Sequence, residues 1–247
     1  MTIRTAFLSA FLLSVTLPLV AQETSAQAEP AKKRRVHPMA AVMANPAAWN
    51  EPEFFIAIVN EGGVVDSAWL TDFISKTIRY CQLRFEIVDI DAAEDVSYTA
   101  LLERAKTAAG GKAKGFIVFS KDLKEPVLAA PGLGWAILNP DWVTADKDAD
   151  AEKTNERMGK QFYRALGMAF GAGFRLEKEA VLRAAATPQQ LDEALSRNLH
   201  PQNLAIIQAV AQSLGIEQRK LKPREELEKM GLIPPRKPKA EEPTAEK

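Results

Sequence analysis

The sequence predicts an α/β (α+β) fold: a mainly parallel, twisted sheet with an edge strand, one long helix against it, and a small helical C-terminal subdomain. Three observations carry this. Short continuous apolar runs alternate with stretches of helical periodicity through the first half of the chain. A segment rich in proline and glycine then breaks the alternation, and a long amphipathic stretch closing on Gly171-Ala172-Gly173 follows it.

Taken in order, Phe54 to Val59 is an apolar run ended by Glu61-Gly62-Gly63, as expected of a strand buried on both faces. Asp66 or Ser67 caps the helix that follows, where Trp69, Leu70, Phe73, Ile74, Thr77 and Ile78 recur at helical spacing. Phe85 to Ile90 is a second strand, Tyr98 to Ala108 a second helix and Gly115 to Phe119 a third strand. This order implies parallel strands joined by right-handed crossovers. Glu125 to Pro131 and Gly132 to Asn139 then suit an exposed edge strand followed by one more short strand. Asp150 to Ala172 is the long helix, with Phe162, Leu166, Ala169 and Phe170 on its core side. Thr187-Pro188 starts another helix, and Pro201 to Leu214 forms a third.

Outside the folded region, residues 1–28 read as a secretory signal: Arg4 is the positive end and Ala6 to Val20 the apolar stretch. Leu19-Val20-Ala21 or Ala26-Gln27-Ala28 offers its cleavage site. The run is short for a membrane span, so no span is expected after cleavage, and a periplasmic or secreted protein is. Residues 29–50, with Lys32-Lys33-Arg34-Arg35, read as a flexible basic tether. The folded domain is expected over 51–216, and 217–247 reads as a charged, proline-dotted tail with at most a short helix at Glu225 to Met230.

Composition narrows the function classes. The 247 residues balance 32 basic against 32 acidic side chains, so no net field draws nucleic acid. Cys81 is the only cysteine, which excludes an internal disulfide, and its place on an apolar helix face reads as core rather than nucleophile. His37 and His200 are the only histidines, so one chain cannot build a three-histidine metal site. Gly132-Leu133-Gly134 lacks the spacing and the following helix of a phosphate loop.

The informative stretch is Arg164 to Phe174. Zinc proteases of the metzincin class carry His-Glu-x-x-His-x-x-Gly-x-x-His, two histidines on one helical face, a glutamate base, and a glycine turn that brings in the third histidine. With the glycine at Gly171, the frame lays Arg164, Met168 and Phe174 on the histidines and Ala165 on the glutamate. Continued without insertion, it places Leu182 on the methionine of the Met-turn, and Arg175, Ala180, His200 and Asn203 on four cysteines. In this register, and in its order of elements from about Phe54 to Leu214, the chain resembles the archaemetzincin family, whose four cysteines bind a second, structural zinc.

The resemblance implies a metzincin, zincin-like fold in which the long helix is the former active-site helix. It equally implies a degenerate member. Arginine is a permanent cation without a lone pair to give, phenylalanine has none, and alanine cannot accept a proton. No cofactor and no zinc proteolysis are therefore expected. Met168 and Phe174 are expected to fill the old metal pocket by packing on Leu182, and Arg164 to reach solvent or a carboxylate such as Glu177 or Glu179, or to recognise an anionic group in the old cleft. His200 reads as a helix-entry residue.

Relatives of this architecture take substrate as an added strand along the sheet edge. That implies an extended peptide or envelope partner pairing along Gly132 to Leu138, with Gly134, Trp135, Ala136 and Arg164 as binding residues. The alternatives are a hydrolase with a different mechanism and an assembly protein acting through its tails.

Overall fold

The computed structural model describes residues 38–94, 97–146, 149–177 and 180–235. The sequence-predicted signal, the basic run and the last part of the tail lie outside them.

The sheet is built around β2 (Phe55–Glu61), which is buried along its whole length because both faces are covered. It pairs in parallel with β3 (Phe85–Ile90) on one side and β4 (Ala113–Phe119) on the other. Stepping first to one side of β2 and then to the other forces the right-handed crossovers onto opposite faces. Accordingly α2 (Ser67–Cys81) packs through Leu70 and Ile74 on the face shared with Ile58 and Phe119, whereas α3 (Tyr98–Ala109) packs through Leu101, Leu102 and Ala105 on the face shared with Ala57 and Val118. Asp66 caps α2, its carboxylate accepting from the Trp69 amide at 2.7 Å.

The remaining strands are β5 (Val127–Ala130) and β6 (Trp135–Leu138), giving the order β3-β2-β4-β6-β5 with only β5 antiparallel. After a short α4 (Pro140–Thr144), the long α5 (Ala151–Ala169) lies on the α2 face, capped by Asp150. It ends three residues earlier than its pattern suggests, because Gly171 at φ +72° turns the chain: the Gly171 amide donates to Met168 O and the Ala172 amide to Gly167 O.

Beyond α5 the helical reading is half right. Pro188–Leu191 makes only a 3-10 turn, because the Leu191 carbonyl and the Asp192 carboxylate are drawn to the cations of α5 instead of continuing a helix. α6 (Pro201–Ser213) forms where expected, with His200 as its cap.

Two linker assignments are corrected. Residues 38–50 contain α1 (Pro38–Ala44) and β1 (Trp49–Asn50), and 217–235 contain β7 (Lys220–Leu221) and α7 (Arg224–Lys229). β1 pairs antiparallel with β7, and Val42, Ala48, Trp49 and Leu227 form a small core of their own. Arg219 locks it, forking onto Glu51 and lying over the Trp49 ring. Neither segment holds enough apolar surface for a core of its own, and the small core is shared between them. Among the described residues no helix is long and apolar enough to cross a membrane.

Candidate functional site

The long helix decides what the cleft can do. Its side toward the sheet is apolar: Phe162, Ala165, Leu166, Ala169 and Phe170 are fully buried, with Phe162 stacked 6.4 Å from Phe119. Ala165, at the position where the frame has its general base, is thus sealed in the core. Leu182 is buried against the same helix, so close that a methyl group on Gly167 would stand 2.8 Å from it. Leu182 thus packs on the helix at Gly167.

Phe174 does not take part in it. It is 53% exposed, because Ala172 takes the buried place on the exit turn and Arg175 is spent on α6. Met168 is only half-buried. These two side chains therefore do not form the buried packing that the sequence suggests.

Arg164 does not pair with Glu177 and does not extend into solvent. It is buried to 6% exposure, and its Nη1 donates to Gln161 Oε1 at 2.7 Å, one helical turn back. Glu177 instead takes both Nε and Nη2 of Arg175, at 3.1 and 2.8 Å. Glu179 lies outside the described residues. Among the described residues no carboxylate pairs with it, and burial pulls the Arg164 guanidinium down to about 10. Gln161, fully buried, donates its Nε2 to the carbonyl of Pro126 at 3.1 Å, so the pair is anchored at the start of β5.

That strand is the free edge of the sheet. The Asn139 amide donates to Pro126 O, which sets the alternation of the antiparallel ladder: Leu128 and Ala130 exchange bonds with β6, and the amides and carbonyls of Val127 and Ala129 face outward. The expected pairing site at Gly132 to Leu138 is corrected accordingly. β6 lies between β4 and β5, and Ala136 is fully buried. Trp135 packs with Leu128 against the α3 side. Gly134, at φ +74°, serves the helix end: its amide and that of Gly132 both donate to Ala169 O at 3.0 Å.

The four positions matched to the second zinc site do come together. Arg175 Nη1 lies 3.3 Å from His200 Nδ1, 3.2 Å from Asn203 Oδ1 and 3.0 Å from Gln202 Oε1, and Ala180 lines the same hollow. Asn203 returns a bond to Gly173 O at 3.1 Å. The guanidinium thus ties the exit of α5 to the start of α6. Its hydrogen bonds hold the Glu177 carboxyl down at about 2. His200 Nδ1 accepts from the Gln202 amide at 3.3 Å, a capping role. Cys81 is fully buried, and desolvation raises its thiol to about 12, which suits a core residue.

A different site on α5 is saturated. Arg157, with no exposed surface, donates through Nε and Nη2 to Asp192 at 2.8 and 2.5 Å and through Nη1 to Asp146 at 2.8 Å. Lys160 holds Leu191 O at 2.9 Å and Glu156 at 2.8 Å. Among the described residues no group of three or more His, Cys, Asp or Glu is arranged to hold a metal. Zinc does not fit the residues at its matched position, where a cation, a half-buried thioether and an exposed ring stand in place of imidazoles.

Sequence reasoning missed Gln161, although its spacing from Arg164 on one helix face was there to read; it read the exposed edge strand within Glu125 to Pro131, where β5 lies, but set the pairing site on the next strand.

No family model and no curated protein matches this sequence. Solved structures do. The archaemetzincin of Methanopyrus kandleri superposes with a TM-score of 0.50 at 15% identity, over 65% of this chain and 97% of that one. A zinc-dependent peptidase from Methanocorpusculum labreanum matches at 0.49 and 16% identity, over 62% and 99%. The archaemetzincin of Archaeoglobus fulgidus, solved with malonate, matches at 0.47 and 13%, again over 62% and 99%. The fold is therefore archaemetzincin-like, with a mainly parallel sheet and helices on both faces.

Proposed function

We propose that this chain is a noncatalytic member of its fold, a periplasmic or secreted protein that binds an extended peptide along β5. One observation carries the reading: an unpaired sheet edge at Val127 and Ala129 runs beside a helix on which the positions of a zinc protease hold arginine, alanine and methionine. The edge supplies main-chain donors and acceptors for an added strand. The helix supplies no metal ligand set and no base. Arg164 repels a divalent cation, and Ala165 has no proton acceptor and is buried besides.

The reading in which the C-terminal tail makes the contacts loses support, because 217–235 is folded against 38–50. The hydrolase alternative has no nucleophile and base within reach of each other on this helix face.

The test has two arms. Zinc per chain, measured on protein purified without a chelating tag from metal-replete cells, should be far below stoichiometric; one zinc per chain would refute the noncatalytic reading. Ala129→Pro removes an amide that faces away from β6, so the sheet keeps its ladder while an added strand loses a bond. It should abolish capture of extended peptides with little change in thermal stability. Peptide binding that survives it would place the groove elsewhere. The export part is checked by mass spectrometry of the mature N-terminus, expected after Ala21 or Ala28.

A further inference from the structure

Among the described residues three arginines are buried: Arg157, Arg164 and Arg219. Two of them use the same edge of the guanidinium in the same way. Arg157 and Arg219 each present Nε and Nη2 side by side to the two oxygens of one carboxylate, Asp192 and Glu51 respectively. Half-exposed Arg175 repeats the arrangement on Glu177. This is the planar, two-bond match that makes guanidinium a receptor for carboxylates.

Arg164 is the exception. Its Nη1 is spent on Gln161, but Nε is sealed from solvent without any hydrogen-bond partner. Among the described residues Nη2 has no hydrogen-bond partner either, and it is not among the atoms sealed from solvent. The same Nε–Nη2 edge is thus free, with one end open. A guanidinium held in this way has given up most of its hydration for one neutral acceptor, Gln161, which is costly unless an anion completes the site.

Its position says what can arrive. Gln161 bridges Arg164 to the Pro126 carbonyl, directly before the outward-facing Val127 of β5. The side chains of Val127 and Ala129 pack toward α5, so alternate side chains of a strand added to that edge project to the same side of the sheet.

We infer that the Nε–Nη2 edge of Arg164 is a receptor for a carboxylate, supplied by an Asp or Glu side chain of the extended segment bound along β5. The inference rests on the proposed edge pairing for the source of the carboxylate, but not for the receptor itself. It makes the cleft selective: an acidic residue at one register position is read, and its amide counterpart is rejected.

The experiment is a side-chain NMR titration of the full chain after signal removal, following the Nε–H resonance of Arg164, assigned by its loss in Arg164→Lys. The probes are sodium acetate against sodium chloride at matched ionic strength, and a capped peptide of alternating Thr and Val with a central Asp against the same peptide with Asn. We expect acetate to shift the resonance saturably. The Asp peptide should bind at least ~10-fold tighter than the Asn peptide, a preference that Arg164→Gln removes. Acetate binding with no peptide binding would support the receptor, assign its ligand to a free carboxylate and refute the edge reading. Peptide binding that is lost in Ala129→Pro but equal for Asp and Asn would keep the edge and overturn the receptor. An Arg164 resonance unmoved by every probe, or already displaced in Glu179→Gln, would overturn it as well.

Discussion

Arg157 and Arg164 lie about two turns apart on one helix, and both are buried. The first is surrounded by the chain's own chemistry, with every nitrogen of its fork on Asp146 or Asp192. The second has one glutamine and an empty edge. The same residue type on the same helix face thus serves two purposes. A buried cation that the protein satisfies fastens the fold; one that it leaves unsatisfied costs stability and is retained for something outside the chain.

The largest expected effect breaks the satisfied end. Arg157→Met takes the guanidinium away from Asp146 and Asp192 and should destabilise by about 2–4 kcal/mol, the lower part of the range applying because Asp192 keeps Lys153 at 3.2 Å and a third of its surface in water. Urea denaturation checks it. A loss below ~1 kcal/mol would mean that Arg157 is no fastener and that the contrast with Arg164 is empty.

The same end should govern the acid response. The Asp192 carboxyl is held below its usual range, first by its hydrogen bonds from Arg157, and Glu156 is lowered first by its hydrogen bond to Lys160. Both carboxyls bind fewer protons folded than unfolded. Their stabilising contribution is therefore complete above the ordinary carboxylate range, about pH 4 to 5, and is lost as pH falls through their depressed values. Stability measured from about pH 5 down to pH 2.5 should fall less steeply in Arg157→Met and with the parent slope in Arg164→Met. Equal slopes in all three proteins would remove Asp192 from the acid response.

Between the two arginines and the exit turn, Gly167 reports how much slack the cleft has. Gly167→Ala pushes a methyl onto the buried Leu182 and should cost about 1–2 kcal/mol, recovered in part when Leu182 is shortened to Ala. A neutral substitution would show the helix loose where Arg164 needs it fixed. Weaker still is Arg175→Ala. Its bonds lie at the surface, so the expected change is faster amide exchange at the Leu204 end of the His200 cap with the global unfolding midpoint nearly unmoved. A cooperative loss of the whole fold would instead make Arg175 an obligatory cross-link.

How much of this was legible in the sequence depends on how local the deciding physics is. β2 and β4 were readable because a strand covered on both faces must be apolar throughout, and the α2 start because Asp66 caps within its own turn. The pairing of Arg175 with His200 and Asn203 was readable only through register. Other features were settled by partners distant in the chain. Trp49 and Leu227 form a core only together, so each segment alone read as a tether or a tail. The edge strand was readable from the prolines around Val127 to Ala130, but the pairing site was set one strand further on, because the sequence does not show that β6 is enclosed between β4 and β5. The surroundings of Arg164 were hidden for a related reason: the sequence shows its charge but not the lack of a counter-charge among the described residues.

That lack makes the smallest expected effect the most discriminating. Arg164→Met removes a buried cation with one neutral partner and replaces it with an apolar chain of similar reach. If Arg164 were a structural residue like Arg157, the substitution would destabilise. If its charge is held in reserve for a ligand, the free protein should be unchanged or gain up to ~2 kcal/mol, because the desolvation cost disappears and only the Gln161 acceptor is left short. A gain in the free protein together with loss of the Asp-peptide preference gives the two arginines opposite signs in one assay. A loss comparable to that of Arg157→Met would show instead that the fold depends on Arg164 as much as on Arg157.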